Sequence, residues 1–251
     1  MRNFALLAFF FMFALPMLSA YTDHSLTVQM VIKSDGTAHV TERTIVYMDT
    51  QEEVDAFKNN LRLGKTTIVD WKKFSDNIRY HIGGPSSIAE NLSITAGPEY
   101  SLGDRARAIT LDYDMVTPIT NITKIGSRTS RYWLRDEMLG FELNDNKQTI
   151  LGSNVEFSIL MPSGASIMKN DGISQVGPSP YKYDPATQTV TWSGPMTGKW
   201  ILAFEIEEPL SNEVYEFFST TYQQILALAP LALLLISAGV VLTLLVRMPR
   251  A

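Results

Sequence analysis

The stretch LTVQMVIKSDGTAHVTERTIVYM, residues 26–48, decides how the chain is read. Leu26, Val28, Met30 and Ile32 alternate with Thr27, Gln29 and Lys33, the period of two that places one set of side chains on each face of a β-strand. Ser34-Asp35-Gly36-Thr37 supplies a turn in which Gly36 is free to take a positive φ. Residues 38–48 return as a second strand, and their apolar phase shifts between Val40 and Ile45, which predicts a β-bulge. A β-hairpin over residues 21–49 therefore opens the folded part of the chain.

Working toward the C-terminus, Thr50-Gln51-Glu52-Glu53 has the form of a capping box, in which the Thr50 and Glu53 side chains satisfy each other's backbone donors. Val54, Phe57 and Leu61 follow at helical spacing, and Gly64 is placed to end that helix. Ile68, Trp71, Phe74 and Ile78 repeat the spacing, although residues 66–69 also read as a strand. From there the pattern is strand after strand. Ile109, Leu111, Tyr113 and Met115 alternate with Thr110, Asp112 and Asp114, and Val155–Met161, Val190–Trp192 and Trp200–Ile206 behave alike. Gly and Pro punctuate the intervals, as in antiparallel sheets packed face to face. The expected fold is mainly β: a β-sandwich-like exported domain over residues 21–210, or two small β lobes, with one or two short helices inserted after the first hairpin.

Both ends of the chain point to a membrane. Residues 225–246, ILALAPLALLLISAGVVLTLLV, carry no charge, and Arg247 and Arg250 follow at once. About 20 apolar residues at ~1.5 Å rise each cross a hydrocarbon core of ~30 Å, and a lone spanning segment must be a helix so that its backbone is paired internally. Residues 1–20 combine Arg2, an apolar run and the small residues Ser19 and Ala20, the layout of a secretory signal peptide with cleavage after Ala20. Residues 211–224 are expected to form a juxtamembrane helix capped by Ser211, with Tyr215, Phe217, Phe218 and Tyr222 at headgroup depth. Residues 247–251 form a cytoplasmic tail by the positive-inside tendency, giving a type I single-pass protein whose N-terminal domain lies outside the cell membrane. A tail that short carries no folded output, so any signalling runs through a partner.

Composition excludes several classes. The chain of 251 residues contains no cysteine, so disulfides and thiolate chemistry are absent. Its net charge is −5, and three of its 21 basic residues (Arg2, Arg247, Arg250) lie at the ends, away from all 26 acidic ones. An ectodomain that acidic is a poor phosphate binder, and no nucleic-acid partner is expected. His24, His39 and His81 fall in no metal or catalytic spacing, and no HExxH, GxSxG, P-loop or GxGxxG occurs. No cofactor and no enzymatic activity are expected.

The candidate sites are surface features. Lys124, Arg128, Arg131 and Arg135 stand beside Tyr132 and Trp133 in KIGSRTSRYWLR, a combination able to hold an anionic sugar or acidic lipid headgroup. The alternative is that these cations pair with the domain's own carboxylates while Trp133 lies in the core. Asp112 and Asp114 share one strand face, read as the solvated one, and Asn144-Asp145-Asn146 reads as a turn. Asn91 and Asn121 head N-glycosylation sequons, and Ala232, Ser237, Gly239 and Thr243 are small residues that let a second helix approach the span.

The segment Ser34-Asp35-Gly36-Thr37-Ala38-His39-Val40-Thr41-Glu42 resembles the DG[ST]xxVTE opening of uncharacterised membrane-anchored surface proteins of archaea and bacteria. That resemblance implies an envelope protein with an exported β-rich domain ahead of a transmembrane helix, and no particular chemistry. The expected function is that of a non-enzymatic interaction protein: an accessory subunit of a membrane complex or an envelope assembly factor, with the lipid bilayer and a membrane or surface protein as partners. A ligand-sensing or carbohydrate-binding ectodomain is the alternative.

Overall fold

The computed structural model describes residues 22–84 and 87–208, together with Ser219. The expected signal peptide (1–20), juxtamembrane helix (211–224, Ser219 apart), span (225–246) and tail (247–251) lie outside those residues. Among the described residues, no helix is long and apolar enough to cross a membrane.

The described chain is mainly β. In order it forms β1 (Thr22–Ile32), β2 (Ala38–Tyr47), α1 (Gln51–Arg62), α2 (Ile68–Lys72), β3 (Ala89–Pro98), β4 (Ala106–Met115), β5 (Thr120–Lys124) and β6 (Thr129–Leu134). There follow β7 (Glu142–Leu143), β8 (Thr149–Leu151), β9 (Val155–Leu160), β10 (Ala165–Ile167), β11 (Lys169–Asn170), β12 (Ile173–Ser174) and β13 (Val176–Gly177). The last elements are β14 (Lys182–Asp184), β15 (Thr189–Ser193), β16 (Met196–Gly198) and β17 (Ile201–Glu207).

A seven-stranded sheet runs β14-β15-β9-β1-β2-β4-β3, and a five-stranded sheet contains β10-β17-β6-β5, with β13 also pairing β17. The first hairpin forms as its sequence predicts, with Gly36 at φ +82°. A side chain there would meet the Thr120 hydroxyl at 2.8 Å, so the turn is also where the second sheet approaches the first. Two expectations are corrected. Strands β2 and β4 pair without interruption from Ala38↔Met115 to Tyr47↔Ala106, so no bulge lies in β2; the irregularity sits in β1, between Asp23 and Ser25. The sheets are also not antiparallel throughout, because β1 pairs β9 in parallel, Leu26 opposite Val155 and Val31 opposite Leu160.

The seven-stranded sheet buries one face. Val28, Met30, Val40, Ile109, Leu111, Phe157, Ile159, Val190 and Trp192 fill it. Phe157 stacks on Trp192 at 5.6 Å and meets Trp200 edge-on at 5.3 Å, a geometry that adds to the area such rings remove from water. Buried residues of both sheets, including Tyr132 and Phe204 of the second, belong to one continuous cluster.

Helix α1 begins with the capping box its sequence encodes: the Glu53 N–H donates to Thr50 Oγ1 at 3.2 Å and the Thr50 N–H donates to Glu53 Oε2 at 3.1 Å. Its apolar stripe brings Phe57 to 5.2 Å from Trp71 and 5.5 Å from Phe74. The second helical pattern closes only from Ile68 to Lys72, yet Trp71, Phe74 and Ile78 are all buried. The spacing of apolar residues there records burial on turns rather than a long helix. These turns deliver residues 79–82 onto the sheet, and that placement creates the site.

Candidate functional site

Strand β2 turns Ala38, Val40, Glu42, Thr44 and Val46 toward the interior, so a carboxylate occupies the middle of an apolar face. Glu42 is wholly buried. Strand β4 supplies Tyr113, whose hydroxyl donates to Glu42 Oε1. The segment after α2 supplies His81, also buried, held in place because the Gly140 N–H donates to its carbonyl at 2.7 Å. The His81 backbone N–H donates to Glu42 Oε1 at 2.7 Å, and Nδ1 lies 2.7 Å from Oε2. With the carboxylate as acceptor, Nδ1 carries the proton. Burial first, and then the negative Glu42, push the Tyr113 hydroxyl far above its ordinary range, so it stays a donor. Tyr80 packs edge-on against Tyr113 at 4.7 Å and is raised by the same two causes.

This network borders a cavity of about 190 Å³ lined by Leu26, Arg79, His81, Phe141, Ile150 and Val155 among others. The Phe141 ring lies 5.4 Å from the His81 ring, and Arg79 Nη1 donates to the Gly140 carbonyl at 2.8 Å. Among the described residues, His81 Nε2 has no hydrogen-bond partner, the ring's contacts being made at Nδ1. The arrangement is a carboxylate-oriented imidazole with one nitrogen left for whatever enters the cavity. The sequence alone gives His81 no role and presents Glu42 only as the last residue of the segment 34–42.

The basic stretch is the hairpin β5–β6 and its flanks. Arg131 donates through Nε and Nη2 to Glu205 Oε1 at 2.9 and 2.7 Å. Arg128 donates to the Glu208 carbonyl at 3.0 and 2.7 Å and pairs with Glu207 at 3.3 Å. Arg135 donates to Glu137 at 2.8 Å and to the Pro118 carbonyl at 2.9 Å, while Lys124 is exposed at the end of β5. The three arginines thus face the domain's own oxygens. Tyr132 and Trp133, successive in a strand, point to opposite faces. Tyr132 is the buried one, stacked on Phe204 at 4.9 Å with its hydroxyl donating to the Ser34 carbonyl at 2.8 Å, whereas Trp133 is 37% exposed. The two rings form no common platform. Replacing Trp133 with Ala is expected to change the free energy of unfolding by less than ~1 kcal/mol, as for a residue outside the core. Tyr132→Phe should lower it by about 1 kcal/mol for the lost hydroxyl bond; urea unfolding of both variants checks the pair.

Asp112 and Asp114 lie on the outer face of β4, as the alternation predicts. Thr41 donates to Asp112 at 2.6 Å, and Asp114 gathers Lys33 at 3.0 Å, His39 Nδ1 at 3.2 Å and the Asn91 amide at 3.0 Å. The Asn91 bond first, then Lys33 and His39, hold the Asp114 carboxyl down at about 2 against an ordinary 3.8. A carboxyl lowered on folding stabilises fully above its unfolded value and loses that contribution as pH falls through the folded one. The melting-temperature gap between the wild type and Asp114→Asn should therefore be present near neutral pH and close as pH falls from about 4 to about 2. A gap unchanged by acid would show that these bonds do not depend on the charge.

The sequon residue Asn91 spends its amide on Asp114, in the positive-φ position (+55°) where β3 shifts register. Asn121 is exposed on β5, at the edge of the five-stranded sheet. Asn144 Oδ1 accepts from the backbone of Asn146 and Gln148, the turn its sequence predicts. Ala232, Ser237, Gly239 and Thr243 lie outside the described residues. The sequence matches no protein-family model and no curated protein.

Proposed function

We propose that this chain is a membrane-anchored extracytoplasmic protein that acts by binding another protein, as an accessory subunit of a membrane complex or an envelope assembly factor. The observation that carries the reading is the place of β17. It lies inside the five-stranded sheet, flanked by β10 and β6, and only residues 208–224 separate it from the uncharged run 225–246. A span attached there holds a sandwich-like domain against the bilayer from the middle of a sheet. On the outside of that sheet β5 is an edge strand with Ile122 exposed on it and Ile125 exposed just past its end, a surface suited to strand addition by a partner. The resemblance of residues 34–42 to anchored surface proteins supports the same reading.

The test is purification of the full-length protein from its native membrane in mild detergent, with mass spectrometry and sizing. A stoichiometric membrane partner is expected, weakened when Ala232, Ser237 and Gly239 are changed to Leu. A protein that purifies alone overturns the accessory role. It would favour the second reading, a ligand-sensing or carbohydrate-binding ectodomain. That reading is supported by a groove of about 440 Å³ where β10 faces Tyr181 and Tyr183, with Ser166, Lys169 and Ser174 in its walls. Two tyrosine rings beside hydroxyls and an ammonium suit a sugar better than the occupied arginines of β6 do.

A further inference from the structure

We propose that the cavity beside His81 is a binding site for a small carboxylate, held by the His81 Nε2 and the Arg79 guanidinium. Size sets the first limit. About 190 Å³ is below the ~300 Å³ at which pockets for drug-sized molecules begin, and it exceeds several times the ~30 Å³ share of one water. The occupant is therefore a molecule of a few non-hydrogen atoms.

Chemistry sets the second. His81 is 1% exposed, and its Nδ1 is committed to Glu42, so the ring cannot rotate away without stranding a buried carboxylate. Its Nε2 is left without a partner among the described residues and borders the cavity. Arg79 reaches the same cavity with five donors, of which Nη1 serves the Gly140 carbonyl, and among the described residues it makes no ion pair. A guanidinium with free donors is a receptor for a planar oxyanion. The adjacent Nε2, which holds a lone pair while Nδ1 holds the proton, donates to that oxyanion once it takes up the proton of the incoming acid. Leu26, Phe141, Ile150 and Val155 make the remaining wall apolar and suit a short aliphatic tail. Glu142 also lines the cavity and is exposed. Its carboxylate separates two sources of the same chemistry: a simple fatty-acid anion, or an amino acid whose ammonium reaches Glu142.

The experiment uses the full-length protein in detergent with ¹⁵N-labelled histidine. Propionate and L-alanine are titrated separately while the His ring nitrogens are followed by NMR, with chloride at matched ionic strength as the reference. The expected result is a saturable shift of His81 Nε2, with His24 and His39 unmoved and the Nδ1 proton still bound to Glu42. Tighter binding of alanine than of propionate, lost in Glu142→Gln, identifies the amino acid; the reverse order identifies the simple anion. Arg79→Gln should weaken binding by about tenfold or more, the worth of a charge-assisted pair. Ile150→Phe fills the cavity without touching the network and should abolish the shift even if Arg79→Gln fails to fold. No saturable shift with either compound, a shift that chloride reproduces, or undiminished binding in Ile150→Phe overturns the proposal.

Discussion

Replacing Glu42 with Ala is expected to destabilise the domain by about 3–5 kcal/mol, because it leaves three buried donors without their acceptor at about 1–3 kcal/mol each. The loss has named parts. The Tyr113 hydroxyl, the His81 backbone N–H and the His81 Nδ1 proton all point at the carboxylate, and each becomes a buried donor without an acceptor. Glu42→Gln should fall between Ala and wild type. One amide oxygen can still accept from Tyr113 and the His81 N–H, but the amide nitrogen can donate to Nδ1 only if the ring moves its proton to Nε2, and the bond it then makes is no longer charge-assisted. Urea unfolding checks the order Ala, Gln, wild type from least to most stable. If Ala costs no more than ~1 kcal/mol, Glu42 is not the acceptor on which these three donors depend.

The second large effect falls on Gly194, for a reason unrelated to polarity. A Cβ there would stand 1.8 Å from the Gly152 carbonyl oxygen, 2.7 Å from its carbon and 2.9 Å from the Leu151 oxygen. All three are backbone atoms, so no side chain can swing aside. The Gly194 N–H also donates to Val155 at 2.9 Å, which ties β15 to the start of β9 at this close approach. Gly194→Ala must therefore move the chain that carries Trp192, and the expected cost is about 3 kcal/mol, at or beyond the upper end for overpacking. Gly64 gives the contrast. Its φ is +59° but nothing lies within 4 Å, so Gly64→Ala meets only the left-handed backbone penalty of roughly 1 kcal/mol. Comparable melting temperatures for the two variants would show that the Gly194 contact relaxes easily.

Much of this architecture was legible in the residues, and what was not has a physical reason. Alternation in β1, β4, β9 and β17 reports each side chain's own burial, and the Thr50 cap reports a bond to a residue three positions on; a single sequence records both directly. Partner identity is not recorded that way, so the parallel pairing of β1 with β9 had no signal, nor did the meeting of Glu42 with His81. The supposed bulge in β2 is the instructive case. An inward carboxylate interrupts an apolar pattern much as an extra residue does, but a bulge changes the phase for good. Here Val46 and Met48 resume the phase of Ala38 and Val40, so Glu42 and Thr44 were readable as inward polar residues. For the basic stretch, composition marked the right hairpin, but the partners of Arg128 and Arg131 lie in or just after β17, seventy residues and more along the chain.

The parallel contact has a consequence for how the molecule assembles. Strands β1, β2, β4 and β3 adjoin in the sheet and come from the first half of the chain, so that four-stranded unit can close as soon as it is made. The other side of β1 waits for residues 155–160. Until they arrive, the oldest strand of the protein is an open template in the middle of the future sheet, able to recruit any passing extended segment. Such long-range closure places the domain among slow folders, and one side of its central sheet must stay guarded for most of synthesis.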